Sequence, residues 1–226
     1  MIGPKKSKAD VRSEVASLNR VEIRTEEQLR AIIGSPQDVV VSKMANRLNP
    51  LTRAYIERSP FICVATSHTN GDCDVSPRGD PPGFVRILDD QTLLIPERPG
   101  NKIADTLRNI LHNPRIGILF IVPGVGDTFR VNGHATLIDD DDLLADSAIE
   151  GKAPKLAIKV AIHEAYTQCP KAFIRSDLWN PDNHRSASEF PSGGEILRAV
   201  RAEAEFDATA YDTARAERYG RREGFY

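Results

Sequence analysis

The early part of the chain carries its apolar residues at helical spacing, and the middle of the chain carries them at strand spacing. Thr25, with Gln28 three residues on, stands ahead of Leu29, Ile32 and Ile33, the pattern of a capped helix. Ser35-Pro36 reads as the opening of a second helix, serine as cap and proline in the first turn. LTRAYIER (51–58) reads as a short third. From residue 61 the period changes to two. FICVAT (61–66) is rich in β formers and Asn70-Gly71 is a strong turn, so 61–67 and 73–76 are expected to pair. FVRIL (84–88) and TLLIP (92–96) make a second hairpin about Asp89-Asp90, and RIGILFIV (115–122) leads into the loop PGVGD. TFRVNGHATLI (128–138) alternates, with Phe129, Val131, Gly133, Ala135 and Leu137 on one face and Arg130, Asn132, His134 and Thr136 on the other. LAIKVAI (156–162) alternates again. One helix interrupts the strands: residues 101–114 place Ile103, Leu107, Ile110 and Leu111 at helical spacing, and Pro114 follows its end. A short helix over 170–176 and a helical stretch at 193–205 come after the last strand.

About seven strands, mostly linked as hairpins, point to a barrel or sandwich. The organisation expected is a helical N-terminal arm (1–58), a β core (59–180) and a partly helical C-terminal tail (181–226). With 226 residues, 40% apolar and 27% charged, the chain suits a soluble globular protein with a real core. A net charge of −2 gives no general attraction to nucleic acid or an anionic membrane, so neither is expected as a partner. No apolar run approaches the ~20 residues that span a bilayer. The start, MIGPKKSKAD, is basic without the apolar segment of a secretory signal, and residues 5–24 read either as mobile or as wrapping a neighbour. Cys63, Cys73 and Cys169 are odd in number and lack CxxC spacing, which disfavours a disulfide scaffold or zinc site and fits a reducing cytoplasm. His163-Glu164 does not continue as HExxH and the five histidines are scattered, so no metal is expected. The acidic run 139–142 reads as a solvated turn and helix cap.

Two loops carry candidate chemistry. SPRGDPPGF (76–84) packs three prolines and two glycines around one cation, Arg78, so its path is bent and has few alternatives. It is either a pre-ordered ligand clamp or a proline-rich corner with Arg78 in solvent. IPERPGNK (95–102) runs off a strand into a helix N-terminus, where free N–H groups and the helix dipole suit phosphate. Lys102 there opposes the dipole of an empty helix and favours an anion. Arg78, Arg98 and Lys102 flank one hairpin and could share a phosphate, with Arg98 the one expected to point to solvent. There is no GxxxxGK[ST] loop.

FICVATSHTNGDCDVSPRGDPPGFV, TLLIPERPGNK and LRNILHNPRIGILFIVPGVGDTFRVNGHATL, taken together, resemble the FMN-binding, pyridoxamine 5′-phosphate oxidase-like split-barrel family. CPKAFIRSDLW (169–179) is similar to a later segment of one subgroup. The resemblance implies a mainly β fold with added helices: a six-stranded antiparallel Greek-key-type split barrel. It also implies a homodimer with FMN at the subunit interface. By position, Lys102 matches the family's phosphate-binding lysine, and Asn101 replaces the arginine beside it. Arg78 falls near the other phosphate-binding arginine, with Ser76 as a further donor and Pro77 fixing the path. Ile95 and Pro96 fall where a strand backbone faces the isoalloxazine ring. Arg130 lies on the strand that approaches the flavin from the same or the partner subunit, and Arg130 or Arg175 could supply a cation to the ring. Trp179 is either an aromatic wall for the ligand or an interface anchor. Near the C-terminus, HRSASEF and RYGRREGFY do not fit the arginine and histidine pattern of the oxidase proper, so pyridoxamine phosphate is not the expected substrate. With no Rossmann GxGxxG, FMN is expected rather than FAD. Two functions stay open: an FMN-dependent oxidoreductase acting on an unidentified small molecule, or a flavin store, sensor or electron-transfer partner. An open cleft favours the first; one filled by Trp179 or the tail favours the second.

Overall fold

The computed structural model describes residues 22–201 and 206–226. Most of the charged stretch 5–24, and residues 202–205 of the expected tail helix, lie outside the described residues. The chain divides into two compact units, one ending at Ser42 and one spanning Lys43–Tyr226.

In the first unit, α1 is Glu26–Ile33 and α2 is Asp38–Val41. Thr25 caps α1 by accepting from the Gln28 N–H, while the Gln28 side chain accepts from the Arg24 N–H at 2.8 Å, one residue earlier than a reciprocal box requires. The second helix starts later than Ser35-Pro36 suggests. Proline disfavours helical backbone in the residue before it, Gln37 is still extended, and only Asp38 enters the helix. Neither helix buries a residue.

The second unit holds α3 (Pro50–Arg58), β1 (Phe61–Ser67), β2 (Cys73–Gly79), β3 (Arg86–Asp89), β4 (Thr92–Pro96), α4 (Asp105–His112), β5 (Arg115–Ile121), β6 (Thr128–Ile138), α5 (Asp141–Ala145), β7 (Ala157–Gln168), α6 (Lys171–Ser176), α7 (Gly193–Arg201) and α8 (Ala208–Gly220). All seven strands pair antiparallel in one sheet, ordered β2-β1-β5-β6-β7-β4-β3. This is the mainly β, split-barrel class with added helices, with seven strands rather than six. β2 and β3 are the edges and do not pair with each other. Ile62 and Val64 of β1, Ile95 of β4, Phe120 of β5, Phe129 and Val131 of β6 and Val160 of β7 share one buried cluster with Ile56 of α3. Strands from across the order reach the same core, so the sheet curls around it. Among the described residues no helix is long and apolar enough to cross a membrane.

Three local outcomes position the site. First, β2 runs on through Pro77 and Arg78 to Gly79, where the sequence suggests a loop. β2 is an edge strand, and an edge tolerates a proline because one side of its backbone has no ladder to complete. Second, α4 begins at Asp105 rather than Asn101. Three side-chain hydrogen bonds fix it to β1 and β2: Thr106 Oγ1 to Asp74 Oδ2 at 2.8 Å, Asn109 Nδ2 to Thr66 Oγ1 at 3.1 Å, and Asn113 Nδ2 to Ser67 Oγ at 3.0 Å. Positions 106, 109 and 113 lie on one helix face, so the helix is held against the β1–β2 hairpin, and its start against β2, the strand that also carries Arg78. Third, β7 runs to Gln168, well past residue 162, because a bulge between Asn132 and Gly133 keeps β6 and β7 paired. Gly133 is required there: a Cβ would meet the Ala161 carbonyl oxygen at 2.2 Å. In the acidic run, Asp140 caps α5 by accepting from the Leu143 N–H at 3.0 Å. Sequence patterning does not reveal α8, whose stretch ATAYDTARAERYG buries only Ala208.

Candidate functional site

A cleft of about 1090 Å³ lies where β2, the turn 97–104 and the first turn of α4 meet, with loop 152–156 and Tyr226 completing its lining. Ser76, Pro77 and Arg78 line one side and Asn101 and Lys102 another. The Arg78 guanidinium is held before any ligand arrives. Its Nη1 donates to Ser76 Oγ and to the Pro77 carbonyl at 3.0 Å, and its Nε donates to Glu97 Oε2 at 3.3 Å. Arg78 and Glu97 are 18% and 20% exposed, too buried for water alone to satisfy them. Burial pushes the Glu97 carboxyl above its ordinary 4.5, against the opposing pull of Arg78.

The turn into α4 is strained. Lys102 and Ala104 take φ of 65° and 61°, the left-handed region that costs a non-glycine residue about 1–3 kcal/mol. Asn101 supports it by accepting from the Ile103 N–H at 3.0 Å. Ala104 offers no side-chain cap, so the amides that open α4 are left for another acceptor, and Asp105, Thr106 and Leu107 line the cleft. Lys102 and Lys155, both lining the cleft, make no ion pair among the described residues. The cleft thus gathers Arg78, Lys102, Lys155 and the amides that open α4, the donor types an anionic group needs, beside the carboxylates of Asp74, Glu97 and Asp105.

Arg98 behaves differently from its expected exposure to solvent. It is 14% exposed and its Nε donates to Asp80 Oδ2 at 2.7 Å, with Asp80 4% exposed. Its Nη2 donates to the Ser147 carbonyl at 2.9 Å, and its guanidinium lies 5.3 Å over the Tyr226 ring. Tyr226 in turn donates its hydroxyl to Asp80 Oδ1 at 3.0 Å, and burial, then that carboxylate, push its phenol above the usual 10. Arg98 is therefore a fastener between the two loops. The shared-phosphate reading keeps Arg78 and Lys102.

Five of the ten residues that the family resemblance marks meet in the cleft: Ser76, Pro77, Arg78, Asn101 and Lys102. Ile95 is fully buried in the core, and Pro96 ends β4 beside Ala157. Arg130 lies elsewhere on the sheet, donating to Tyr166 Oη at 3.0 Å and stacking over that ring. Trp179 stacks on Phe173 at 5.4 Å and donates to the Val125 carbonyl at 3.0 Å, and Arg175 lies on α6 beside them. None of these five lines the cleft of this chain. Sequence reasoning missed Asp74, Glu97, Thr106 and Tyr226. Glu97 and Asp80 sit inside the two loops already marked by sequence; Tyr226 carries no such signal.

Two measurements test this geometry. Removing Asp80 strands a buried guanidinium, so Asp80→Ala should cost about 3–5 kcal/mol in denaturant unfolding, and adding Arg98→Met should recover part of that loss. Additive losses in the double variant would show that the pair is not coupled. Glu97 binds its proton more tightly folded than unfolded, so its contribution to stability falls as pH rises from 4.5 through its raised value and is level above it. Glu97→Gln should therefore gain stability relative to wild type across that window; a constant difference between the two proteins at all pH values would contradict this.

The sequence matches the model of the family described as pyridoxamine 5′-phosphate oxidase over residues 48–169, a span that contains β1 to β7 and most of the cleft. No curated protein matches it. Among solved structures it is similar to HupZ of Group A Streptococcus, at 18% identity over 54% of this chain and 94% of that one, with a TM-score of 0.46. It is also similar to a putative pyridoxamine 5′-phosphate oxidase of Lactobacillus delbrueckii, at 20% identity over 54% and 95% of the two chains, TM-score 0.43. A third is HutZ, the heme storage protein of Vibrio cholerae, at 14% identity over 54% and 94%, TM-score 0.38. On the match that spans its whole sheet, this chain belongs to the pyridoxamine 5′-phosphate oxidase family.

Proposed function

We propose that the cleft holds FMN by its terminal phosphate and that the protein is an FMN-dependent oxidoreductase acting on a small molecule. The observation that carries this reading is the convergence of Arg78, Ser76, the Asn101-Lys102 turn and the uncapped start of α4 on one cleft. FMN when bound supplies the electron or hydride chemistry, so the protein needs no acid–base pair of its own for that step. The chain's tasks are to neutralise the phosphate with Arg78 and Lys102, donate the α4 amides to it, and exclude water from the cleft. Among the described residues the lining of the cleft contains no histidine, cysteine or methionine, and its one tyrosine, Tyr226, donates its hydroxyl to Asp80, which supports a flavin over a haem here. Its size leaves room beside the cofactor for a second molecule, since ligand pockets commonly run to roughly 300–1,000 Å³. Trp179 does not fill it and Tyr226 forms part of a wall, which supports the oxidoreductase over a flavin store. Reduction of the bound flavin by NADH or NADPH without oxygen separates those two.

The phosphate clamp has a clear signature. Arg78→Ala and Lys102→Ala should each weaken FMN by about ten- to a hundredfold, the worth of one charge-assisted hydrogen bond, and leave riboflavin affinity nearly unchanged. Equal losses for FMN and riboflavin would make Arg78 a structural residue of an edge strand.

The active species in this reading is a homodimer in a reducing compartment, with Arg130, Arg175 or Trp179 reaching the flavin of the other subunit. Val75, Ile103 and Leu111 are 57–70% exposed, apolar side chains that a second subunit would cover. All three cysteines are free. Light scattering at low micromolar concentration should give twice the chain mass; a monomer that still holds flavin would contradict the dimer.

A further inference from the structure

We infer that residues 221–226 form a strap at the rim of the cleft, and that Tyr226, the one of them that lines it, is the positioning residue that couples the strap to the loops holding Asp80 and Arg98. This deepens the reading of the cleft as an FMN site and rests on it for the ligand. Asp80, Arg98 and Tyr226 each touch the other two: Oδ2 of Asp80 accepts from Arg98, Oδ1 accepts from the Tyr226 hydroxyl, and the Tyr226 ring lies against the Arg98 guanidinium. Asp80 belongs to the loop after β2 and Arg98 to the loop before α4, so one phenol from 146 residues away closes the junction of both. A second cation, Arg222, lies 5.5 Å from the centre of the same ring and pairs with Glu150 at 3.1 Å. Cations on an aromatic ring and a hydrogen bond to a buried carboxylate are specific contacts, and the Lys152 ammonium adds another by donating to the Tyr226 carbonyl at 3.5 Å.

The backbone of the segment is shaped for this. Arg222 and Gly224 take φ of 53° and 75°, turning the chain back after α8. The Arg222 and Glu223 amides donate to the carbonyls of Tyr219 and Arg218, and Phe225 meets the Tyr219 ring edge-on at 5.9 Å. Residues 221–225 are exposed and Tyr226 alone is half-buried. A short segment whose residues are exposed except for Tyr226 opens at lower cost than the sheet does, which is the property of a part that opens and closes. Because Tyr226 lines the cleft, a ligand that fills it touches the anchor. Ligand and strap then stabilise each other by the same factor.

Hydrogen–deuterium exchange of the full chain, with and without FMN, tests this in wild type, Tyr226→Ala and Tyr226→Phe. In the free protein, Tyr226→Ala should speed exchange on the order of tenfold in residues 97–104 as well as in 221–226, and Tyr226→Phe, which keeps the ring and loses the hydroxyl, should fall between. FMN should slow exchange in 221–226 of wild type, and Tyr226→Ala should weaken FMN several-fold with riboflavin weakened alike, unlike the phosphate-specific loss of Arg78→Ala. If wild type binds FMN while Tyr226→Ala leaves both FMN affinity and exchange in 97–104 unchanged, the strap is overturned and the FMN reading stands. If wild type fails to bind FMN, the functional reading and its ligand coupling both fall, and the free proteins still decide whether Tyr226 holds the loops.

Discussion

The ion pair between Arg98 and Asp80 is the contact on which the cleft depends. A buried guanidinium and carboxylate are costly to desolvate and are retained where their geometry fixes something else. Here they fix the spacing of the loop after β2 against the turn before α4. Arg78 sits two residues before Asp80 and Lys102 four after Arg98, so that spacing sets where the two cations of the cleft stand. The pair is fully furnished: Arg98 also donates to the Ser147 carbonyl, and Asp80 also accepts from Tyr226. Without that furnishing an interior charge pair destabilises more than it orders.

Around this fastener the site is built under tension. Arg78 is oriented by Ser76, the Pro77 carbonyl and Glu97, so little rotamer freedom is left to lose when a ligand arrives. The same contacts put a half-buried carboxylate beside the cation, and burial holds the Glu97 carboxyl above its ordinary pKa against the pull of Arg78. The left-handed backbone at Lys102 and Ala104 is a second stored cost. The three hydrogen bonds from α4 to β1 and β2 hold that turn in place. Lys102 and the amides that open α4 are the donors this turn offers to an anion such as the proposed FMN phosphate.

Much of this is legible in the chain. The alternation of TFRVNGHATLI places Phe129 and Val131 in the core and Arg130 outside it, as found, because a period of two survives any neighbour. Both hairpins arise from local turn chemistry, and the clustering of Ser76 and Arg78 with Asn101 and Lys102 arises from their flanking one hairpin. The features that sequence patterning misses depend on partners distant in the chain. Pro77 belongs to a strand only because β2 is an edge, and strand order is not local information. Arg98 is buried by a partner 18 residues earlier, and Arg130 is occupied by Tyr166, 36 residues later. Tyr226 reaches Asp80 from the far end of the chain, across a tail whose helix α8 has almost no apolar stripe to mark it.

If this cleft is the seat of a flavin phosphate, a crystal structure of the protein grown with FMN will show it. The phosphate is expected within hydrogen-bonding distance of the Arg78 guanidinium and the Lys102 ammonium, over the first turn of α4, with the Arg98–Asp80 pair intact. An FMN molecule bound elsewhere, with Arg78 still paired to Glu97 over a cleft that holds no ligand, would contradict that assignment.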